Sequence, residues 1–536
     1  MRIVPAKYFN QQQFRCGNDV FAFSARAWFC MAAMAGFLIS ENVEAQSIRI
    51  PWNGYGHNAQ HDAITPAPSQ PLNRILWQTP VDLNPQYNGN DLFIHYGSPS
   101  ITRSNTVIVP VKTGTTDGFE VRALAGATGV TNWMRTTDYV LPSHGWTPSY
   151  SGVLTPKNRF YFPGGGGTVY YCDTPDTTNA FPVIGQIAFY GLANYLASTN
   201  AYLTNVFINT PITSDRYGNI FFGFQVKSSF TNLQGGIARI DYNGTGTWLA
   251  ASNAAGDAAI KKVSQNCAPA LSNDHKTLYF AVNNSATWSD SASGYLVAVD
   301  SRTLAPLASV LLKDVKHPAN NASVPDDATA SPAVGPDGDV YYGVLENPAY
   351  SNNDRGWMLH FNSALTQSKI PGAFGWDDTA SIVPASMVPS YHGTSPYLLM
   401  TKYNNYADPG LGGDGVNKIA ILDPQNSMTD PISGTNVMNE VLTIAGPTPD
   451  LDLRNAQHPN AVREWCINSA AIDPFTKSVL ANNEDGRLYR WDLTSNTLSE
   501  TNILTTGIGE AYTPTIIGLN GFVYAINNAI LFAIGH

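Results

Sequence analysis

Short runs in which apolar and polar residues alternate recur along the chain, and a fixed order of parts recurs with them. A Ser/Thr-Pro or small-residue pair comes first. A short apolar stretch, a polar turn and an aromatic-rich run follow. The order reads GSPSITRSNTVIVPV from Gly97, WTPSYSGVLTPKNRFYFPG from Trp146, NTPITSDRYGNIFFGF from Asn209 and CAPALSNDHKTLYFAV from Cys267. It returns as ASPAVGPDGDVYYGVL from Ala330, TASIVPASMVPSYHGTSPYLLM from Thr379, INSAAIDPFTKSVLANN from Ile467 and YTPTIIGLNGFVYAIN from Tyr512. Several copies continue into a second alternating run, as in GFEVRALAGATG from Gly118, GGIARIDYNG from Gly235, GYLVAVDSRTL from Gly294 and GRLYRWDL from Gly486. A third run ends near a Trp, at Trp133 and Trp248. Period-two alternation bounded by Gly, Asp and Asn turns predicts strands joined by hairpins. No amphipathic helix of useful length is evident.

Eight such units, most of them 45 to 65 residues apart, predict an all-β chain built as an eight-bladed β-propeller with four-stranded antiparallel blades. The last copy stops after NAILFAIGH, one strand short. RILWQTPVDL (Arg74 to Leu83) supplies a spare strand at the other end. An N-terminal strand closing the last blade removes an open sheet edge. Residues 46–536 are therefore read as a single domain.

Composition agrees. Charged residues are only 13% of 536, while Gly (45) and Tyr (26) are abundant, as strands and tight turns require. The formal net charge is −10 and no basic stripe is visible, so no nucleic-acid partner is expected. Residues 1–45 read as a cleaved signal peptide. Arg2, Lys7, Arg15 and Arg26 precede the apolar stretch Ala27 to Ser40, and Val43-Glu44-Ala45 fits a cleavage site. A secreted or periplasmic protein is expected, with no transmembrane segment in the mature chain. Its three cysteines, Cys172, Cys267 and Cys466, cannot all pair. Cys267 and Cys466 are read as separate buried thiols, with a cross-channel pairing as the alternative.

ALAGATGVTNW (Ala123 to Trp133) resembles the strand-turn-Trp blade ending of the pyrroloquinoline-quinone (PQQ) repeat family. WNGYGHNAQHDAITPAPSQPLNRILW (Trp52 to Trp77) resembles the opening segment of such proteins. The resemblance covers nearly the whole mature chain and implies a quinoprotein-like propeller. That family holds quinone-dependent dehydrogenases as well as cofactor-free scaffolds. The chain departs from the alcohol-oxidising members in having no Cys-Cys pair and no CxxCH haem site.

The resemblance also implies that the Ser/Thr-Pro strand is innermost, which sets the residues just before it at one channel mouth. These are His95-Tyr96, His144-Gly145-Trp146, Phe207-Ile208-Asn209, Gln265-Asn266-Cys267, Asp326-Asp327, Trp376-Asp377-Asp378, Arg463-Glu464-Trp465 and Glu510-Ala511-Tyr512. Charged and aromatic side chains are concentrated there in a chain otherwise poor in charge. If a PQQ-like ligand binds, Trp146, Trp376 or Trp465 is expected to stack on it and Arg463 to fork its carboxylates. Asp377 or Asp378 would be the general base. Glu464, Glu510 and Asn266 would be Ca²⁺ ligands. The plainer alternative is a hydrogen-bonded ring between blades, with the Trp side chains filling the channel.

The leading expectation is an extracytoplasmic scaffold that binds a small molecule or a protein at this mouth. The alternative is a PQQ- and Ca²⁺-dependent dehydrogenase of an alcohol or sugar. The Asp- and Gly-rich segment from Lys402 to Lys418 reads as a solvated hairpin, with Asp408 and Asp414 as alternative calcium ligands. His57 and His61 read as loop residues rather than a shared metal site.

Overall fold

The computed structural model describes residues 51–536, apart from 89–90, 95–96, 116, 147–149, 228–229, 231–232 and 507–510. The expected signal peptide lies outside the described residues. Eight antiparallel blades follow one another along the chain, an eight-bladed β-propeller in which each sequence copy opens or lies within one blade. Blade 1 runs Ser100–Ile101, Thr106–Lys112, Phe119–Ala125, Thr131–Thr137. Blade 2 ends on Ile184–Ala188, and blade 3 has Ile220–Val226, Gly236–Ile240 and the outer strand Gly246–Ala250. Blade 4 has Thr277–Asn283 and Gly294–Asp300 as its central strands. Blade 5 keeps three regular strands, and bridges at Ser368 and Gly372 replace the fourth. Blade 6 includes Tyr397–Lys402 and Lys418–Thr429, and blade 7 runs from Ala471–Asp473 to Thr497–Ile503.

Closure follows the expected route. Arg74–Pro80 pairs antiparallel with Ile530–Gly535 and is the fourth strand of blade 8. The apolar core lies between blades. One cluster joins blades 1 to 3, another blades 4 to 6, and a third carries blade 8 onto blade 1. The first strand of most blades is only two or three residues long, because the blades crowd together near the axis. Crowding also explains the small residues of the repeat. A Cβ on Gly97 would stand 1.9 Å from the Tyr150 carbonyl oxygen of the next blade. The recurring hydroxyl stitches blades together: Ser151 accepts from Ser98 N, Ser331 from Ala268 N and Thr379 from Ser331 N.

The segment from Trp52 to Thr65 is threaded through the ring. The second residue of the inner strand donates its backbone N–H to this segment in six blades. Ile101 reaches Trp52 O, Leu154 reaches Asn53 O and Leu271 reaches Ala59 O, each at 2.7 Å. Val334 reaches Gln60 O at 2.9 Å, Ile382 reaches Asp62 O at 3.0 Å and Ile472 reaches Ala63 O at 2.9 Å. The segment turns with the ring through left-handed backbone at Gly56, His57, His61 and Ala63. His57 Nδ1 holds Asp62 at 2.8 Å, while His61 Nδ1 lies 2.7 Å from Pro332 O. The two imidazoles thus serve different partners in a loop. Burial lowers His61 to about 4, so it is neutral at ordinary pH.

One expectation is corrected. Among the described residues the α-helices are short, Leu192–Ala197, Thr199–Asn205 and Ala251–Ala255, in keeping with the all-β reading, and none is long and apolar enough to cross a membrane. The Lys402–Lys418 segment is not a solvated hairpin along its length, since residues 403–407 are buried. Its Asn side chains take up the backbone of the next blade's approach: Asn404 bonds both N and O of Trp465, and Asn417 bonds Val462 O. Asp414 accepts from Asn405 and Val416 of its own loop, and Asp408 stays exposed. Cys172, Cys267 and Cys466 are all buried thiols without a disulfide, and burial pushes Cys267 up to about 12.

Removing residues 74–80 would leave the Ile530–Gly535 strand as an unpaired apolar edge. Lower thermal stability and concentration-dependent light scattering are expected of that deletion. A melting curve equal to the full chain's would show that the edge needs no partner.

Candidate functional site at the channel mouth

In an antiparallel blade the second strand ends where the first begins, so its last residue also faces the mouth. That position is polar and buried in five blades: Lys112, Asn283, Lys402, Asn482 and Asn527. Buried polar groups need partners, and each of these finds them. Lys112 Nζ meets Asp82 at 2.9 Å. Asn283 bonds Asp326 at 2.9 Å, and Asp326 is also held by Lys262 at 2.6 Å. Asn482 bonds Ile526 O, and Asn527 bonds Asn482. These groups form a ring of tethers between blades.

Asp377 belongs to that ring. Its Oδ1 accepts from Thr329 N and Oγ1, each at 2.7 Å, and its Oδ2 lies 3.4 Å from Lys402 Nζ. Tyr55 of the threaded segment bonds Thr329 O, Thr379 and Asn468 beneath it. The Thr401 hydroxyl donates to Asp378. Burial raises both carboxyls, Asp378 to about 7, and the Lys402 charge opposes the rise. Lys402 Nζ also stands 5.3 Å from the Tyr512 ring centroid.

A second contact crosses the mouth. Trp146 N donates to Asp327 Oδ1 at 2.8 Å, and its Nε1 donates to Leu92 O at 2.6 Å. Its ring meets Tyr512 edge-on at 4.9 Å. Trp288, from the blade 4 hairpin, donates to the same Asp327 oxygen at 3.4 Å. The approach to blade 2 and the approach to blade 5 are thereby tied together.

Blade 7 carries a third group. Glu464, Cys466 and Glu484 place a ligand atom each within 4.8 Å of one another. Cys466 Sγ is 3.3 Å from Glu484 Oε2 and 3.9 Å from Glu464 Oε2, and Glu464 N donates to Glu484 at 3.0 Å. Burial raises Glu484 to about 7. Arg463 lies alongside but pairs with Asp450 at 3.1 Å and Asp452 at 2.8 Å.

The expected site residues are thus divided among separate tasks. Asp377, Asp378 and Tyr512 gather around Lys402, and Trp146 joins Asp327. Glu464 meets Cys466 and Glu484. Asn266 faces the Asp326 and Ala328 carbonyls, and His144 bonds Pro142 O. Trp465 is fully buried between blades 6 and 7, and Trp376 packs on the core of blades 4 to 6. His95, Tyr96 and Glu510 lie outside the described residues. Of the described groups expected to meet a planar quinone, Arg463 is paired with two aspartates, Trp465 lies in the core and Trp376 packs on it, while Asn266, expected as a Ca²⁺ ligand, faces blade 5. The described residues do not assemble the expected quinone cradle. Lys402, Trp288, Glu484 and Cys466 were not singled out for a mouth role from the sequence. Lys402 closes the second strand of its repeat and Glu484 stands two residues beyond the second strand of its own, and that end of the strand is the signal which could have found them.

The fold has solved counterparts. A europium-containing methanol dehydrogenase aligns over 90% of this chain and 91% of its own, with 10% identity and a TM-score of 0.54. The quinohemoprotein alcohol dehydrogenase from Comamonas testosteroni aligns over 91% of this chain and 81% of its own, with 10% identity and a TM-score of 0.52. The chain is thus similar to quinoprotein alcohol dehydrogenases in fold; at these identities the likeness extends no further. No family model and no curated protein matches the sequence.

Asp378 yields a pH signature. Its folded value of about 7 stands above the roughly 3.9 of an unfolded Asp. It therefore favours folding fully below about pH 4, and that contribution is lost as the pH rises through about 7. Between about pH 5 and about pH 8, wild type is expected to lose more thermal stability than Asp378→Asn. Parallel melting-temperature curves for the two proteins would contradict this assignment.

Proposed function

We propose that the chain is an extracytoplasmic binding propeller whose mouth takes a cationic ligand on blade 7. One observation carries this reading: Glu464, Cys466 and Glu484 bring three ligand atoms within 4.8 Å of one another at the mouth. Arg463, the nearest cation in sequence, pairs directly with Asp450 and Asp452, and its charge also bears on Glu484 from beside the group. A sulfur with two carboxylate oxygens suits a borderline-soft divalent ion such as Zn²⁺ better than Ca²⁺, which takes oxygen ligands. Such a group has three protein ligands, leaving a coordination position for a further ligand. The rest of the mouth supplies rigidity, since its carboxylates Asp326, Asp327 and Asp377 are committed to tethers between blades.

Titration calorimetry with Zn²⁺, with Ca²⁺ and with PQQ plus Ca²⁺ separates the readings. Zn²⁺ is expected to bind, with affinity falling at least about tenfold, or about 1.4 kcal/mol, in Cys466→Ser and in Glu484→Gln. Absence of Zn²⁺ binding overturns the proposal. Binding of PQQ with reduction of an artificial dye by alcohols or sugars would favour the dehydrogenase alternative instead.

A further inference from the structure

The repeat is interrupted between blades 2 and 3, where the helices Leu192–Ala197 and Thr199–Asn205 are inserted. Beside them a cavity of about 1250 Å³ opens, lined on one side by the outer strand of blade 2 and on the other by that of blade 3. A second cavity of about 600 Å³ shares Phe230, Leu233 and Trp248 with the first. A third, of about 450 Å³, shares Lys227 with the second. Together they make one furrow, with Trp248 standing where the first two meet. The first cavity alone exceeds the roughly 300–1,000 Å³ of a small-molecule pocket, so the furrow suits an extended ligand.

Its chemistry is distinct from the rest of the chain. Trp248 supplies aromatic surface, Tyr171 and Tyr242 carry Arg159 and Lys157 over their rings, and Gln186, Asn194 and Asn243 supply planar amides. Arg159, Lys227 and Lys261 supply positive charge, and none of the described lining residues carries a carboxylate. That is unusual in a protein with 40 carboxylates against 30 cations. Arg159 is paired with Asp173 and lies over the Tyr171 ring at 4.5 Å. Lys227 and Lys261 are exposed. Lys261 Nζ bonds only the Ala258 carbonyl, and Lys227 Nζ stands 5.3 Å from the Phe207 ring, so neither charge is neutralised among the described residues.

We infer that this furrow binds an acidic polysaccharide, a chain of pyranose rings bearing carboxylates. The apolar face of a pyranose packs on an aromatic ring, its hydroxyls bond planar amides, and its carboxylates meet Lys227 and Lys261. The site runs from the outer strands of blades 2 and 3 to the face where Leu141 and Phe207 lie. It does not depend on the cation group at the mouth.

Affinity electrophoresis of the full mature chain through gels containing polygalacturonate, alginate or neutral dextran tests this. Retardation is expected in the two acidic gels and not in dextran, weakening as salt rises. The double variant Lys227→Gln/Lys261→Gln, altered only at exposed positions, is expected to lose at least about tenfold in affinity. Trp248→Ala is expected to lose a similar factor with an unchanged circular-dichroism spectrum. No retardation by either acidic polymer overturns the inference, as does retardation unaffected by the lysine substitutions. Equal or tighter binding of single-stranded DNA in competition overturns it as well.

Discussion

The free inner edge of the blades is the constraint on which this structure depends. A closed ring of sheets still leaves the first strand of every blade with one unpaired side, facing an axis from which water is largely excluded. Six of the N–H groups on that side belong to Ile101, Leu154, Leu271, Val334, Ile382 and Ile472, whose side chains are at most 2% exposed. A buried donor left without a partner costs about 1–3 kcal/mol. Six such losses reach the scale of a domain's whole net stability, roughly 5–15 kcal/mol. The segment from Trp52 to Ala63 supplies six carbonyls in the order in which the blades present their donors. The chain therefore begins its fold by filling its own axis and ends it by pairing Ile530–Gly535 with Arg74–Pro80. Left-handed backbone at His57, His61 and Ala63 follows from that task, because an ordinary strand cannot turn with the ring.

The same rule governs the mouth. Polar side chains at the ends of the second strands are buried, so each must be tied to a neighbour. The ties are made between blades. Asp326 and Asp377 look like chemistry in the sequence because they are paired carboxylates, Asp326-Asp327 and Asp377-Asp378, at the mouth end of the repeat. In the structure each lies beside a buried lysine, Lys262 and Lys402, and accepts backbone or side-chain donors from the adjacent approach. Burial without full neutralisation leaves Asp378 and Glu484 raised to about 7. Those two groups mark where the tethering is incomplete, and Glu484 is the one with a thiol and a second carboxylate beside it.

The ring, its eight units and the closing strand were legible in the sequence. They rest on period-two alternation and turn residues, which are local signals repeated eight times. The function of the Trp52–Thr65 segment was not legible, because backbone carbonyls do the work and no side-chain pattern announces it. The mouth was half legible. Its position followed from the repeat, but which carboxylates are committed depends on lysines and asparagines up to 64 residues away, as Lys262 and Asp326 show. Trp465 and Trp376 illustrate the same limit. A Trp beside a charge reads as a binding platform, yet both rings pack against the apolar faces between blades.

In a fold made of repeats, departures from the repeat carry more information than the repeat itself. Five blades are four-stranded and two more differ only in a split inner strand, and their inter-blade contacts are variations on one scheme of hydroxyl and amide tethers. The helical insert before blade 3 stands outside that scheme and is held to the approach to blade 2 by the Tyr195 hydroxyl on Asp138. It builds a furrow whose aromatic residues pack on the core of blades 1 to 3, while Lys227 and Lys261 stand exposed. A chain with an excess of ten negative charges has nonetheless kept carboxylates out of the described lining and left Lys227 and Lys261 without acidic partners. The fold gives no reason for that selection; an anionic ligand does, because one carboxylate placed beside those lysines would cancel the attraction over the few ångströms at which it acts.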